Sequence, residues 1–412
     1  MSGVEALKPE PPVRSHFIPI LLLALITRVA YVLIFYKFSA IVPLTGWGSE
    51  IIATALSLHA GHGFSSPFFS PTGPTAFVAP GYVFVVAGVI SVFGTGSFAS
   101  TVIIALQVLF SLATLWLVMY TAGLHFGTRA ANVAGLLFAL YPSMMVAPVK
   151  IGDATLSTLI VAGFFAAAST LYVARWKFIP AGAACAIAAL VNPALIPTLW
   201  AMCGWTAWKV KRTPWMGMLA FVIVFSPWPI RNAIAMHAFI PLRSDFGYEL
   251  NIGNHAGADG NFVQSMNPMM DQHERTDFVT KGEVRYLAEK NALARAYILS
   301  HKERFFELSC KRFVQFWAGI EEDGNPTTIP LLIFAAGGLM LLRKQKALLV
   351  LYAIPLIVYP LPYYITHIYM RFQYIIDPIL TVLGGAAVAA LLAPSNRKES
   401  TAIGQMATGA AE

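Results

Sequence analysis

The chain has 412 residues, of which 57% are hydrophobic and only 12% are charged, and its mean hydropathy is +0.65. This composition excludes an ordinary soluble protein, which needs far more charge on its surface, and it indicates a membrane protein. We attribute the net charge of +8 to cytoplasmic loops rich in Lys and Arg, as is typical of membrane proteins, and not to nucleic-acid binding.

The first apolar run, residues 17–35, is too long for a cleavable signal peptide, and no small-residue cleavage site follows it. We therefore interpret this run as the first membrane span, preceded by a cytoplasmic tail at 1–16. The cysteines Cys185, Cys203 and Cys310 lie in or beside apolar stretches without paired spacing, so neither a disulfide framework nor a zinc motif is predicted.

Ten apolar segments follow one another along the chain, most of them close to the roughly 20 residues that a membrane-spanning helix needs. The fifth and sixth are short and are divided by Asn192-Pro193, because proline blocks helix continuation. The predicted fold class is therefore all-α, a polytopic transmembrane helical bundle of about ten spans. The segments are 17–39, 98–121, 130–148, 155–173, 179–191, 194–208, 214–230, 330–342, 347–365 and 374–392.

A further apolar stretch, residues 77–93, has Pro80-Gly81 near its start. The distribution of charge among the loops indicates whether this stretch crosses the membrane. If this stretch does not cross the membrane, the short basic loops all fall on the side of the N-terminus, as the positive-inside rule demands. We therefore predict that it lies along the outer interface or dips into it, and that both termini are cytoplasmic. The basic segments are 125–129, 175–177, 209–212, 343–346 and Arg397-Lys398.

This topology leaves two large segments outside the cytoplasm, 40–97 and 231–328. The second is the only region with the composition of a soluble protein, and the helical periodicity of 280–317 predicts amphipathic helices that cap the outer surface. The predicted organisation is a transmembrane module at 17–230 that includes the outer loop, a partly helical extracytoplasmic region at 231–328, C-terminal transmembrane helices at 329–393 and a disordered cytoplasmic tail at 394–412.

The carboxylates are distributed unevenly. Of 20 acidic residues, four lie in the terminal tails and another thirteen lie between Asp245 and Asp323 in the long outer segment. Only Glu50, Asp153 and Asp377 remain for the membrane body, and the predicted topology places all three at the outer face. Each could be a helix cap or an interfacial charge, but ionisable groups at membrane depth are costly and are usually functional.

Three basic side chains, Arg231, Arg371 and His367, accompany these acids at the predicted outer face, which favours a shared polar cavity. In such a cavity a carboxylate can accept the proton of a hydroxyl nucleophile as general base. Arginine can hold a phosphate and stabilise its charge as it leaves. A lipid-phosphate donor could then remain in the bilayer while a polar acceptor arrives from outside.

Several local patterns of the chain resemble the GT-C superfamily of polytopic glycosyltransferases, in particular the bacterial branch similar to protein O-mannosyltransferases and the lipid A aminoarabinose transferase. The resemblance covers roughly residues 28–392, and its most specific part is the block that begins with PWPIRN. The patterns are SEIIATALSLHAGHGFSSPFFSPTGPTAFVAPGY, YPSMMVAPVKIGDATLSTLIV, ALVNPALIPTLW, PWPIRNAIAMHAFIPLRSDFGYELNIGNHAGADG, GEVRYLAEKNAL and YYITHIYMRFQYIIDP.

The resemblance implies a catalytic acid in the first outer loop, matched here by Glu50, and a second acid in the next outer turn, matched by Asp153. It also implies a helix along the membrane surface beginning near APGY, and a polyprenyl-phosphate sugar donor whose sugar is transferred with inversion. Many relatives have an aspartate in the first loop, often as an Asp-Glu pair, where this chain has a lone glutamate. Arg371 matches an arginine of an RYR-like segment, which reads Met370-Arg371-Phe372-Gln373 here.

The remaining candidates each have a structural alternative. His62 is predicted to bind substrate; together with His59 and Glu50 it could instead hold a metal, but an ordinary polar rim is preferred and no metal is assigned. No cofactor is predicted, and assistance by a divalent cation stays open. His367 could contact the donor phosphate or be an interfacial histidine. A last group could bind the sugar or the acceptor, or maintain the fold: Arg243, Asp245, Glu249 and Asn254.

Arg28, in the middle of the first span, needs a partner or must snorkel; an anionic partner and an interhelical contact are both open. The favoured function is an inverting hexosyl or pentosyl transferase of the inner (plasma) membrane. Its partners would be a polyprenyl-phosphate sugar, the lipid bilayer and a hydroxyl acceptor on a glycan, lipid or protein. The alternatives are a lipid-linked sugar flippase and a lipid-linked glycan ligase or polymerase; the absence of a visible internal repeat weighs against transport.

Overall fold

The structure, a computed structural model, describes residues 15–36, 42–171, 178–318 and 327–393. The cytoplasmic tails predicted at 1–16 and 394–412 lie almost wholly outside these residues, as does the basic segment 175–177. Within the described ranges the chain forms α-helices and short 3-10 helices and no β-strand, which confirms the all-α prediction.

The helices are numbered in chain order, and most are shorter than a full membrane span. They are α1 (Phe17–Tyr36), α2 (Glu50–His59), α3 (Pro80–Phe93), α4 (Ser97–Phe126), α5 (Thr128–Leu140), α6 (Pro142–Val146), α7 (Ala154–Leu171), α8 (Phe178–Val191), α9 (Leu195–Lys209), α10 (Trp215–Phe225), α11 (Pro227–Met236), α12 (Phe246–Gly253), α13 (Gln272–Lys281), α14 (Glu283–Ser300), α15 (Lys302–Ala318), α16 (Thr328–Leu341), α17 (Lys346–Val358), α18 (Leu361–Ile365) and α19 (Asp377–Leu391).

Four helical segments within the described residues are long and apolar enough to cross a membrane: Phe17–Ile34, Ser97–Phe126, Trp215–Met236 and Lys346–Ile365. A fifth is added if the bent pair Thr128–Leu140 and Pro142–Val149 forms one span. These segments support a membrane location. The predicted total of about ten spans stays a prediction, as does the interfacial placement of 77–93, where the structure has the 14-residue helix α3.

The predicted span 130–148 is broken into two helices that meet at an angle of 61°. The break lies at Tyr141, whose backbone is extended, because the residue before a proline is driven out of the helical conformation. Pro142 also lacks the N–H that would bond to the carbonyl of Phe138 four residues earlier. The bend redirects the chain toward Asp153, which directly precedes α7.

The side chain of Arg28 in α1 hydrogen-bonds to backbone carbonyls at this bend that lack a helical N–H partner. Its guanidinium donates hydrogen bonds to the carbonyls of Phe138 (3.3 Å) and Ala139 (3.1 Å) at the end of α5, and its Nε donates to Ser111 Oγ of α4 (2.9 Å). The side chain is 0% exposed. Of the two interpretations left open by the sequence, the structure shows the interhelical contact: Arg28 joins α1, α4 and α5.

Helices α8 and α10 approach each other at glycine, as membrane helices commonly do at small residues. A Cβ atom added at Gly182 would lie 1.9 Å from the carbonyl oxygen of Gly217. We expect Gly182→Ala to lower the free energy of unfolding by about 1–3 kcal/mol, the usual cost of overpacking. Thermal unfolding in detergent measures the change. Gly204→Ala in α9, where an added Cβ would meet no atom within 4 Å, is the matched control and should unfold like the wild type.

The segment 280–317 is helical, as its periodicity predicts. The stretch 280–317 contains α14 and α15, which are separated only by His301. The last predicted span begins later than expected: residues Met370–Ile375 form a 3-10 helix, and α19 starts at Asp377. This leaves an irregular segment between α18 and α19, and it contributes to the cavity described below.

Candidate active site

A cavity of about 440 Å³ lies where five parts of the chain meet. They are the start of α7, the turn between α8 and α9 with the first turn of α9, the end of α10, the segment from Pro241 through the first turns of α12, and the segment from α18 to the 3-10 helix. Six ionisable side chains line it, all named as candidates from the sequence: Asp153, Arg243, Asp245, Glu249, His367 and Arg371.

The rest of the cavity wall is largely apolar. It includes aliphatic side chains from α9, an aromatic side chain at the end of α10 and further apolar residues from the two irregular segments. Charged groups and an apolar surface therefore share one cavity, an arrangement suited to a ligand with a polar head and an apolar chain. The apolar lining includes Ile196, Pro197, Phe225, Leu242, Phe246 and Phe372.

Arg243 lies at the centre of the charged groups. Its guanidinium forms ion pairs with Asp245 and with Glu249, the latter at 3.9 Å, and its Nε donates to the carbonyl of Phe77 in the first outer loop at 3.1 Å. Burial opposes its charge, but the four carboxylates of Asp245, Glu249, Asp153 and Glu50 outweigh burial and raise the pKa of Arg243. The guanidinium therefore stays charged and holds the acidic groups together.

The carboxyl groups of Asp245, which directly precedes α12, and of Glu249 within α12 differ in exposure. Asp245 has 6% of its side chain exposed and Glu249 has 27%. Burial raises the pKa of Asp245 to about 8, with a contribution from the neighbouring charge of Glu249, while Arg243 counteracts part of the increase. Burial also raises the pKa of Glu249, against the effect of Arg243 and Arg371. Asp245 can therefore bind a proton near neutral pH.

His367 faces Glu249 across this group, with 3.2 Å between Nδ1 and the nearer carboxylate oxygen. Burial, together with the positive charges of Arg371 and Arg312, lowers the pKa of His367 to about 3. Its imidazole is therefore neutral at physiological pH. A neutral ring can donate one hydrogen bond to a phosphate but adds no charge, so the predicted phosphate contact of His367 would be a hydrogen bond.

Arg371 differs from Arg243 because its guanidinium is exposed and lies over the rings of Tyr369 (5.0 Å) and Phe372 (5.7 Å). Among the residues that the structure describes, no carboxylate forms an ion pair with it. Its charge nevertheless acts on Glu249 and His367. Arg371 is therefore a cation at the cavity that remains available for an anionic ligand.

Glu50 does not line the cavity. It begins α2, and its carboxylate accepts a hydrogen bond from the amide of Asn267 at 3.2 Å. Its charge still acts on Arg243, Tyr248 and Glu249, so it belongs to the same electrostatic neighbourhood as the cavity. The catalytic role predicted for Glu50 stays a prediction.

Three other candidates also lie outside the cavity lining. Arg231 donates to the carbonyls of Thr75 and Phe64, both at 2.6 Å, and thereby holds the first outer loop against α11. Asn254 is 0% exposed and donates to the carbonyl of Ile365 at 2.9 Å, which joins α12 to α18. His62 is exposed in the loop after α2. The functional roles predicted for these residues stay predictions.

Asp377 is not part of the shared cavity that the sequence favoured. It is 0% exposed, and neither of its carboxylate oxygens has a hydrogen-bond partner among the described residues.

The sequence did not single out two residues that order the site. Arg312 is 0% exposed and donates to the carbonyls of Tyr364 (3.2 Å) and Gly253, so it joins α15 to the segments that carry Glu249 and His367. Glu283 begins α14 and is 4% exposed. Arg312 lies in α15 and Glu283 in α14, and both helices carry many other charged residues. Only the motif GEVRYLAEKNAL, which contains Glu283, offered a signal.

No group of three or more His, Cys, Asp or Glu side chains that could hold a metal ion occurs in the described ranges. The residues in that part of the chain therefore offer no ready set of metal ligands.

The oligosaccharyltransferase of Archaeoglobus fulgidus, solved in complex with Zn and sulfate, superposes on 90% of this chain with a TM-score of 0.50 at 13% sequence identity. The protein therefore shares the fold of this oligosaccharyltransferase, a GT-C-like fold. The chain spans 49% of that structure, about half of its length.

Two further solved structures align over most of the chain with lower scores. They are AglB from Archaeoglobus fulgidus with an inhibitory peptide and a dolichol-phosphate (13% identity, 95% of this chain, 54% of that chain, TM-score 0.48) and ArnT from Cupriavidus metallidurans bound to undecaprenyl phosphate (11% identity, 90% of this chain, 77% of that chain, TM-score 0.43). No protein-family profile matches the sequence, and no curated protein matches it.

Proposed function

We propose that the protein is an inverting glycosyltransferase that moves a hexosyl or pentosyl group from a polyprenyl phosphate to a hydroxyl acceptor at the extracytoplasmic face of the membrane. The observation that carries the proposal is the cavity, in which the available cation Arg371 and several carboxyl groups share a wall with apolar side chains. A GT-C-like fold supports the same chemistry.

In this reaction the acceptor oxygen attacks the anomeric carbon of the sugar while the bond from that carbon to the phosphate oxygen breaks. One displacement inverts the configuration. Arg371 would hold the phosphate and stabilise the charge that develops on the departing oxygen, with the neutral His367 as a hydrogen-bond donor. The apolar lining would receive the first units of the polyprenyl chain.

The acceptor proton needs a base. We assign this role to Glu50, because its charge acts on Arg243 at the cavity and its segment resembles the first outer loop of GT-C glycosyltransferases. Asp153, which lines the cavity, would orient the acceptor or the sugar. Arg243 would keep Asp245 and Glu249 in place to bind sugar hydroxyls. In this proposal Arg231 and Asn254 hold the segments around the cavity in place. His62 would bind substrate from the loop after α2.

The topology proposed for this function has about ten spans in an inner (plasma) membrane, with both termini cytoplasmic and the cavity outside. In addition to the longer apolar helices, the short helices α7, α8, α9, α16 and α19 would each cross the membrane. Labelling of single cysteines placed at 211 and at 257 from either side of the membrane tests this orientation, since the two loops should face opposite sides.

Transfer of labelled sugar tests the function directly. Membranes containing the protein are supplied with polyprenyl-phosphate hexoses and pentoses labelled in the sugar, together with extracted glycans, lipids and proteins as acceptors. We expect label to leave the lipid and free polyprenyl phosphate to accumulate in equal amount. Transfer only from a polyprenyl diphosphate would instead indicate a ligase or polymerase. Label that crosses the membrane without changing its carrier would indicate a flippase.

A further inference from the structure

A buried carboxylate joins three parts of the chain beside the cavity. Glu283 accepts hydrogen bonds from Thr75 Oγ1 at 2.5 Å, from the backbone N–H of Ala76 at 2.8 Å and from Ser244 Oγ at 2.6 Å. Thr75 and Ala76 belong to the first outer loop, and Ser244 precedes α12. Because a buried charge is costly unless it is fully hydrogen-bonded, these three donors account for its presence there.

The same two segments are also joined directly. The N–H of Ser244 donates to the carbonyl of Ala76 at 2.9 Å, and Arg243 Nε donates to the carbonyl of Phe77 at 3.1 Å. The first outer loop and the segment 243–244 therefore lie side by side, and Glu283 contacts both from α14. The guanidinium of Arg243 extends from this junction to Asp245 and Glu249 in the cavity.

We propose that Glu283 is a positioning residue: by holding Thr75–Ala76 against Ser244, it fixes the direction in which Arg243 enters the cavity. The effect of this placement on sugar transfer rests on the proposed transferase function, whereas the contacts of Glu283 do not depend on it. Arg231 also donates to the carbonyl of Thr75 and places a positive charge near the buried carboxylate.

Backbone amide exchange tests the geometry without any assumption about activity. In Glu283→Ala we expect faster hydrogen–deuterium exchange in peptides that cover 75–77 and 243–245, and unchanged exchange in α4 and α16. Glu289→Gln is the matched control on the same helix, because Glu289 is 41% exposed and pairs only with Lys281 and Arg285 among described residues. Unchanged exchange at 75–77 in Glu283→Ala would overturn the proposal.

Kinetics test the action through Arg243. We expect Glu283→Ala to lower kcat/KM for sugar transfer by about 10- to 100-fold, since small misplacements of a site residue have effects of this size. Glu283→Gln should recover most of the rate, because the amide oxygen can still accept from Ala76 and Ser244 and the amide nitrogen can donate to Thr75. A loss in Glu283→Gln equal to that in Glu283→Ala would show that hydrogen-bonded placement is not its role.

A double-mutant cycle with Arg243→Lys separates positioning from general stability. If Glu283 acts through Arg243, Glu283→Ala should cost little further activity in the Arg243→Lys background. Fully additive losses would contradict the proposal. If the wild type transfers no sugar at all, the proposed function fails, while the exchange measurement still decides whether Glu283 holds the junction.

Discussion

Glu50→Gln is expected to lower the rate of sugar transfer by about 10²–10⁴-fold, the contribution typical of a general base. Glutamine has nearly the same shape and can still accept the hydrogen bond from Asn267. It cannot take up a proton, so the loss should appear in kcat while the protein remains folded. The measurement is transfer of labelled sugar from polyprenyl phosphate at saturating donor, with thermal unfolding recorded for each variant.

Two further variants are needed to interpret the effect of Glu50→Gln on sugar transfer. Asp153→Asn, in the cavity lining, should mainly raise KM if Asp153 orients a substrate. Glu307→Gln removes a carboxylate that is 67% exposed and pairs with Arg304 on the surface of α15, so its activity should equal the wild type. If Glu50→Gln transfers at the wild-type rate while Asp153→Asn is inactive, Asp153 is the base and Glu50 leaves the mechanism.

Arg28→Ala is expected to lower the free energy of unfolding by about 3–5 kcal/mol. Arg28 is among the largest fully buried side chains, so its truncation leaves a cavity between α1, α4 and α5. It also leaves the carbonyl of Phe138 without the donor that replaces the missing N–H of Pro142. The effect is measured by denaturant or thermal unfolding in detergent micelles.

The companion variant Arg28→Met separates the two causes. Methionine retains most of the side-chain volume but none of the donors, so its remaining loss reports the hydrogen bonds to the bend. Arg285→Met, at a side chain that is 76% exposed, should leave stability unchanged. Wild-type stability in Arg28→Met would mean that the bend is held by Pro142 and packing alone.

The segment 280–317 shows what the periodicity of apolar residues can and cannot predict. The stretch 280–317 predicted helices correctly, because the spacing of apolar residues along a helix is a local property of the sequence. It did not predict which faces are covered: Leu287 and Leu308 are buried, whereas Leu293 and Phe313 are more than half exposed. Burial of a given face depends on the neighbouring helices, which local spacing does not specify.

The sequence by itself determined the all-helical class, the apolar segments and the break at Asn192-Pro193, because hydropathy and proline geometry act over a few residues. The break at Pro142, inside the span predicted at 130–148, was not predicted. The sequence also named the six ionisable residues that line the cavity. The scarcity of charge in the membrane body singled out Asp153, and the motif block that begins with PWPIRN singled out Arg243, Asp245 and Glu249. Only the tertiary structure decided which candidates share the cavity and which hold loops. The bonds from Glu283 to Thr75 and from Arg28 to Ala139 join residues more than 100 positions apart, and such pairs are set by the packing of whole helices.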